Sequence, residues 1–466
     1  MLRITLPILS LVLLIATRAL AEDVGIQSEP AQRPNVIVFY TDDQGSLDAN
    51  CYGSHDLVTP TIDELARTGV RFTQMYAPSA ICSASRAGLM TGRFPARAGV
   101  PSNVADAEGT EGLPHRELTI ADMLQASGYR TAHIGKWHLG HQAQTRPNGQ
   151  GFDFSFGHMQ GCIDNYSHFF YWSGPNRHDL WLNGSQIHRD GEYFGDLMRD
   201  YCKQFISQQK QDQQQQDQQQ PFFVYMAINW PHYPLQGSQK WREYYQQRIE
   251  DPRRQRYAAL LSTADELMGD IVSHVESLGL RDNTLIVYQS DHGHSVEERA
   301  FGGGGNPGPY RGCKASLFEG GIRVPAVVSW PGTIPAGETR EQAVFGCDWL
   351  PTIADYADCS PTAALDGKSI RSVIESGDQP SPHEHLYWLL GRGPNAQWAV
   401  RQGDWKLLGN PQDPRQPNSL GKQDQLFLVN LKEDIGESEN LAAKHADIAT
   451  QLHAIHSRYQ ADIEAK

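Results

Sequence analysis

Four stretches of this chain, residues 35–40, 222–228, 284–288 and 324–328, are continuous apolar runs rich in β-branched and aromatic side chains. A run with no polar alternate suits a strand covered on both faces. Between two of these runs, apolar residues return at three-to-four spacing (Leu260, Ala264, Leu267, Ile271, Val275, Leu278), the period of a helix with one buried stripe. Strands alternating with helices predict an α/β fold, a large and mostly parallel mixed sheet flanked by helices. The 466 residues provide ample core material and suggest two or three domains.

After about residue 381 the texture changes to short alternating strands near 397–400, 405–408 and 426–429. A last amphipathic helix carries Ile448, Leu452, Ile455 and Tyr459. Residues 22–380 therefore read as the main α/β domain, and 381–466 as a smaller α+β unit with an antiparallel sheet and terminal helix. Ahead of both, Arg3, an apolar stretch over 4–16 and Ala19-Leu20-Ala21 read as a signal peptide over 1–21. That stretch is shorter than the ~20 apolar residues of a spanning helix. Export to the periplasm or the extracellular space is expected, with no membrane attachment after cleavage.

An exported chain permits disulfides among its seven cysteines, and the sequence cannot choose their pairing. The net charge of −14 argues against nucleic acid as a partner. An anionic substrate would need positive charge focused in a cleft. The glutamine-rich tract at 208–220 lacks apolar residues and reads as a solvated loop. The glycine run at 302–305 with Asn306-Pro307-Gly308-Pro309 reads as a flexible loop, lacking the Lys-Ser/Thr ending of a phosphate cradle.

Polar clusters follow the apolar runs. Thr41-Asp42-Asp43-Gln44-Gly45 comes after the first, and Ser290-Asp291-His292-Gly293 after the third. Ligands of open α/β sheets bind beyond the carboxyl ends of strands. Three carboxylates and an imidazole meeting there suit a divalent cation, and the oxygen-rich set favours calcium or magnesium over zinc. Gly135-Lys136-Trp137-His138 follows another short apolar stretch, and extended alternation would put Lys136 and His138 on one face. Trp230-Pro231-His232 closes the second run, and Lys314 with Glu319-Gly320-Gly321-Ile322-Arg323 precedes the fourth.

The run Cys82-Ser83-Ala84-Ser85-Arg86-Ala87-Gly88-Leu89-Met90-Thr91-Gly92-Arg93 resembles the signature of the type I sulfatases, members of the alkaline phosphatase superfamily. That signature reads Cys, any residue, Pro or Ala, any residue, Arg, then Thr-Gly; Ala84 stands where Pro is commoner. The resemblance implies an alkaline-phosphatase-like fold and oxidation of Cys82 to formylglycine by a formylglycine-generating enzyme. It makes Asp42, Asp43, Asp291 and His292 the ligands of one Ca²⁺, with Asn frequent in the family at the position of His292. Arg86, Lys136, His138, His232 and Lys314 correspond to its anion-binding and proton-transfer residues.

A Ser nucleophile would leave a sulfate ester that is hard to hydrolyse, whereas a hydrated aldehyde has a second hydroxyl with which to expel sulfate. His232 is the expected general acid for the leaving alcohol, Asp291 the acceptor of the nucleophile's proton, and His138 the base for the second hydroxyl. The cation, Lys136 and Lys314 would meet charge on the sulfate oxygens. Arg86, one turn after Cys82, could reach back to the nucleophile or a ligand carboxylate, and a helix starting at Cys82 would aim free N–H groups at the site.

Export points to a sulfated carbohydrate. Gly161-Cys162-Ile163-Asp164-Asn165-Tyr166-Ser167-His168 is similar to a stretch in members acting on galactose or N-acetylgalactosamine sulfates, which makes Asp164 and His168 candidate sugar contacts. Trp172 and Trp388 are candidate stacking faces. Two alternatives stand beside this reading: a phosphomonoester or phosphonate hydrolase of the same superfamily, and a non-catalytic carbohydrate-binding homologue that keeps Cys82 unconverted.

Overall fold

The computed structural model describes residues 33–105, 111–216 and 220–464. The expected signal peptide lies outside them. No helix among the described residues is long and apolar enough to cross a membrane.

One sheet of eleven strands organises the molecule. Five parallel strands run through its middle in the order Thr284–Ser290, Asn35–Asp42, Phe222–Pro231, Arg130–Lys136 and Phe154–His158. Arg323–Ser329 lies antiparallel beside the first of these, and Val70–Tyr76 antiparallel beside Arg323–Ser329. Val70–Tyr76 therefore points the same way as the five. The sheet is mixed and mostly parallel, as the apolar runs predict.

Every residue of Asn35–Asp42, Phe222–Pro231 and Thr284–Ser290 is buried. Alternation sorts them between two cores. Ile37 and Phe39 pack with Leu260, Leu267 and Ile271 of the helix Pro252–Ser277, while Val36, Val38 and Tyr40 face Leu89, Leu124 and Trp349 on the other side. Each aliphatic side chain so buried stabilises the fold by about 1.5–3 kcal/mol.

Strands Leu386–Leu390, Gln397–Gln402, Trp405–Gly409 and Leu426–Asn430 form a separate antiparallel sheet. The helix Ala446–Glu464 covers it, with Leu452 and Ile455 in one core with Leu407, Phe427 and Phe318. Lys406 Nζ ties this sheet to the larger one, donating to Glu319 Oε1 at 2.8 Å and Glu437 Oε1 at 3.0 Å. Trp388 is a core residue here, its Nε1 donating to Ala77 O, and offers no stacking face.

Two sequence expectations about loops are overturned. The glutamine tract is largely helical, because Phe194–Gln216 continues from a first part anchored by buried Met198, Cys202 and Ile206, and glutamine propagates a helix once it is nucleated. The glycine-rich loop is packed rather than flexible: Leu47 N donates to Asn306 O and Asn306 N to Asp48 Oδ2, and a Cβ on Gly305 would sit 2.3 Å from His294 Cβ. None of the seven cysteines is in a disulfide.

Candidate active site

Strand direction and register build the site. The five parallel strands and Val70–Tyr76 end at one edge of the sheet, and Arg323–Ser329, running the other way, begins there. Thr41 pairs with Ser290, so the next residues, Asp42 and Asp291, emerge side by side, with Asp291 N donating to Thr41 O at 2.9 Å. Asp43 then turns through a left-handed conformation (φ 64°), which directs its N–H to Asp291 Oδ1 at 3.2 Å.

Arg130–Lys136 delivers Lys136. A Cβ at Gly135 (φ 110°) would stand 2.1 Å from Ala227 O, so only glycine lets this strand lie against its neighbour there. His232 follows Phe222–Pro231 directly. Val70–Tyr76 leads to the helix Cys82–Thr91, which begins at Cys82 as expected and is buried throughout. Ser83 N at its first turn donates to Asn103 Oδ1 at 3.0 Å.

Cys82 Sγ stands 3.5 Å from Asp42 Oδ1 and 3.3 Å from His292 Nε2. Lys136 Nζ donates to Asp42 Oδ2 at 2.5 Å. Arg86 Nη2 reaches Asp291 Oδ2 at 3.1 Å and Asp42 Oδ2 at 3.5 Å. Lys314 Nζ lies 3.2 Å from Asp43 and 3.1 Å from Glu297 Oε2. His232 Nε2 is 3.7 Å from Asp43 Oδ2, and its Nδ1 is 2.7 Å from Tyr233 O. Nine residues singled out in the sequence thus form one connected cluster.

His138 is also buried, two residues past Lys136, but its left-handed backbone (φ 56°) breaks the extended alternation that was to align it with Lys136. Asp164 and His168 are engaged within their own segment. Asp164 Oδ1 accepts from the N–H groups of Tyr166 and Ser167 and Oδ2 from Gln236, while His168 is wholly buried with Nε2 against Glu192 O.

Charge explains the arrangement. Burial alone would raise the Asp42 carboxyl, yet Lys136, His232, Arg86 and Lys314 hold it well below its usual range. Burial drives Asp43 well above that range, and burial with the adjacent Asp42 charge brings Asp291 up to about 7. Burial would lower His292, but Asp291 and Cys82 carry it up to about 10. Ligand-capable atoms of Asp42, Cys82, Asp291 and His292 lie within 4.8 Å of one another, as do those of Asp42, Asp43, Cys82 and His232. Asp43 Oδ1 is buried, with Lys314 Nζ at 3.2 Å and His292 Nδ1 at 3.5 Å as its charged neighbours. A divalent cation among the oxygens of Asp42, Asp43 and Asp291 would offset the carboxylate repulsion, so the residues fit an oxygen-favouring metal.

Sequence reading missed the residues that steady this cluster. Arg86 Nη1 also donates to Tyr225 Oη and Lys136 O, and Ser85 Oγ donates to Asp291 O at 2.5 Å. Glu297 pairs with Lys314 from a loop with no motif. Tyr225 sits inside an apolar strand, where a hydroxyl gives no pattern.

A profile of the Sulfatase family matches residues 34–359, and one for the C-terminal part of N-sulphoglucosamine sulphohydrolase matches residues 313–461. The chain belongs to the sulfatase family. This sulfatase is 32% identical over 450 residues to arylsulfatase A of Homo sapiens, covering 88% of its own chain and 84% of that protein. It is 30% identical over 399 residues to N-acetylgalactosamine-6-sulfatase of Rattus norvegicus, covering 80% and 71%. Its fold superposes on Ps i-CgsB, solved in complex with k-i-k-neocarrahexaose, with a TM-score of 0.81, 28% identity and coverage of 92% and 93%. The sulfatase is accordingly a sulfuric ester hydrolase of the alkaline phosphatase superfamily.

Proposed function

We propose that this sulfatase cleaves sulfate monoesters of a carbohydrate, of the galactose or N-acetylgalactosamine type, using formylglycine made from Cys82 and one calcium ion. The observation that carries the reading is the placement of Cys82 Sγ within 3.5 Å of both Asp42 Oδ1 and His292 Nε2, inside the carboxylate cluster.

Asp42, Asp43, Asp291 and His292 would hold the ion, which supplies Lewis-acid polarisation of the sulfate oxygens. Conversion of Cys82 supplies a hydrated aldehyde with two hydroxyls, one to attack sulfur and one to expel sulfate. Asp291 takes the proton of the attacking hydroxyl. Lys136 and Lys314 meet the charge that grows on the sulfate oxygens. Arg86 positions Asp42 and Asp291 through its two guanidinium contacts.

His232 donates to the departing alcohol. Its Nδ1–H is held by Tyr233 O, which turns Nε2 to the cluster. Burial and Lys314 keep the free ring well below its usual pKa, and an arriving sulfate anion reverses this by adding negative charge beside it. His138 takes the proton of the second hydroxyl as sulfate leaves. Three cationic side chains and a divalent ion against three carboxylates give a locally positive pocket in an acidic protein, which reconciles the net charge of −14 with an anionic substrate.

The carbohydrate part is supported by the expected export and by the likeness to an N-acetylgalactosamine-6-sulfatase and to Ps i-CgsB solved with k-i-k-neocarrahexaose. Lysines on Asp42 and Asp43 favour this reading over a two-metal phosphatase, since they stand where a second ion would need open carboxylate oxygens.

The test is sulfate release from defined sulfated galactose and N-acetylgalactosamine mono- and oligosaccharides, by protein whose Cys82 conversion is verified by peptide mass. Converted protein that spares all of them while cleaving a phosphonate ester would overturn the proposal.

A further inference from the structure

Away from Cys82, His168, His178 and Asp190 converge beside the short hairpin of Phe169–Phe170 and Arg177–His178, one donor atom of each within 4.8 Å of the other two. His168 Nε2 stands 3.1 Å from the Glu192 carbonyl oxygen. A carbonyl only accepts, so Nε2 carries the hydrogen and Nδ1 is a lone pair, and that atom is buried with no hydrogen-bond partner. His178 repeats the pattern, with Nε2 3.2 Å from Asp190 Oδ1 and Nδ1 buried without a hydrogen bond. Two buried imidazole lone pairs without hydrogen-bond partners are unfavourable in a loop that is only structural, and a turn of the His178 ring would bring its lone pair to the Asp190 carboxylate that Nε2 now faces.

We propose that His168, His178 and Asp190 form a second metal site, separate from the Cys82 centre, that takes Zn²⁺ and staples this loop. Two imidazoles and one carboxylate are a borderline donor set that zinc accepts and calcium does not favour. The Glu192 carbonyl behind His168 is the outer partner that fixes ring orientation in such sites. Zinc bonds of about 2.0–2.2 Å place tetrahedral ligands roughly 3.3–3.6 Å apart, so modest side-chain movement closes the set and water completes it.

The staple has a place to act. The same loop carries exposed Phe169 and Tyr171, and Trp172 stacks on Tyr171 at 4.1 Å and meets Tyr233, the neighbour of His232, at 5.8 Å. Zinc bound here fixes an aromatic surface next to the proton donor.

To test this, the full-length protein is stripped with chelator and reloaded with zinc under excess calcium, and bound zinc is counted per chain. The parent keeps one more zinc than Asp190→Ala or His178→Ala, whose zinc affinity falls at least tenfold. Zinc also raises the melting temperature of the parent but not of the variants. Asp190 is exposed, and its variant should melt like the parent in calcium alone, so it reads metal binding even if His178→Ala folds poorly. Equal zinc content and affinity in parent and Asp190→Ala overturns the proposal, as does a parent that takes up no zinc under excess calcium.

Discussion

Lys136 Nζ sits 2.5 Å from Asp42 Oδ2, and neither side chain has any solvent exposure. Lys136→Met would leave the Asp42 carboxylate without its nearest cation, a loss of about 3–5 kcal/mol of stability and at least a tenfold loss of turnover. Adding Asp42→Asn should return part of the stability and none of the activity. Denaturant titration and sulfate-release rates measure both, and a Lys136→Met protein as stable as the parent would remove the pair from the fold's essential contacts.

Cys82→Ala should leave the melting temperature within a few degrees of the parent and lower turnover by roughly 10³-fold or more, the scale of losing a nucleophile. Retained turnover would count decisively against the proposed chemistry. Active parent protein should yield a Cys82 peptide with the mass of the aldehyde.

Asp291→Asn and Asp43→Asn should each lose bound calcium and activity together, read by metal analysis and rate on the same samples. Full calcium content in either variant strikes that residue from the ligand set. Chelation of the parent should abolish turnover, and added calcium should restore it.

The unconverted protein should carry a pH signature. Burial and Asp42 act to raise the Cys82 thiol, but Lys136, Lys314 and His292 outweigh them and bring it from 9.0 down to about 6. Between those values Cys82 binds fewer protons in the folded chain than in the unfolded one, so its own contribution to stability grows as pH climbs from about 6 to 9 and is lost as pH falls through 6, against the opposite slope of His292, raised to about 10. Cys82→Ser should lack this slope. Thiolate absorbance, taken as the difference between the two proteins, should titrate near pH 6; a midpoint at 9 would mean that the lysines do not govern the sulfur.

Lys406→Met leaves Glu319 and Glu437 buried together without their shared cation. A loss of about 3–5 kcal/mol is expected. Glu319 begins the short helix Glu319–Ile322 that leads into the Arg323–Ser329 strand, so the C-terminal sheet should loosen first. Hydrogen exchange in Trp405–Gly409 would register it, and unchanged protection would assign the junction to apolar packing instead.

Much of the cluster around Cys82 was legible because sheet geometry and a local signature coincide: Asp42, Asp291, His232 and Lys136 each stand at or just past a strand end, and Cys82 and Arg86 are one turn apart on a helix. What lay hidden depends on tertiary contact. Glu297 meets Lys314 only after two loops fold together, and Tyr225 looks like any other residue of an apolar strand. The glutamine tract misled because composition describes solvent preference, while Met198, Cys202 and Ile206, upstream of it, nucleate the helix. The glycine run misled because close packing against His294 and Asp48 is invisible in a local window.

The pairing of Thr41 with Ser290 works as a jig, since the two neighbouring acids inherit their spacing from backbone hydrogen bonds and not from the loops that follow. Segments threaded elsewhere, such as the hairpin of Phe169–Phe170 and Arg177–His178, are free to lengthen, shorten or exchange residues without shifting those acids. One hydrolytic engine can therefore be fitted with different recognition surfaces, and a new substrate would rewrite the rim while leaving the machine tool untouched.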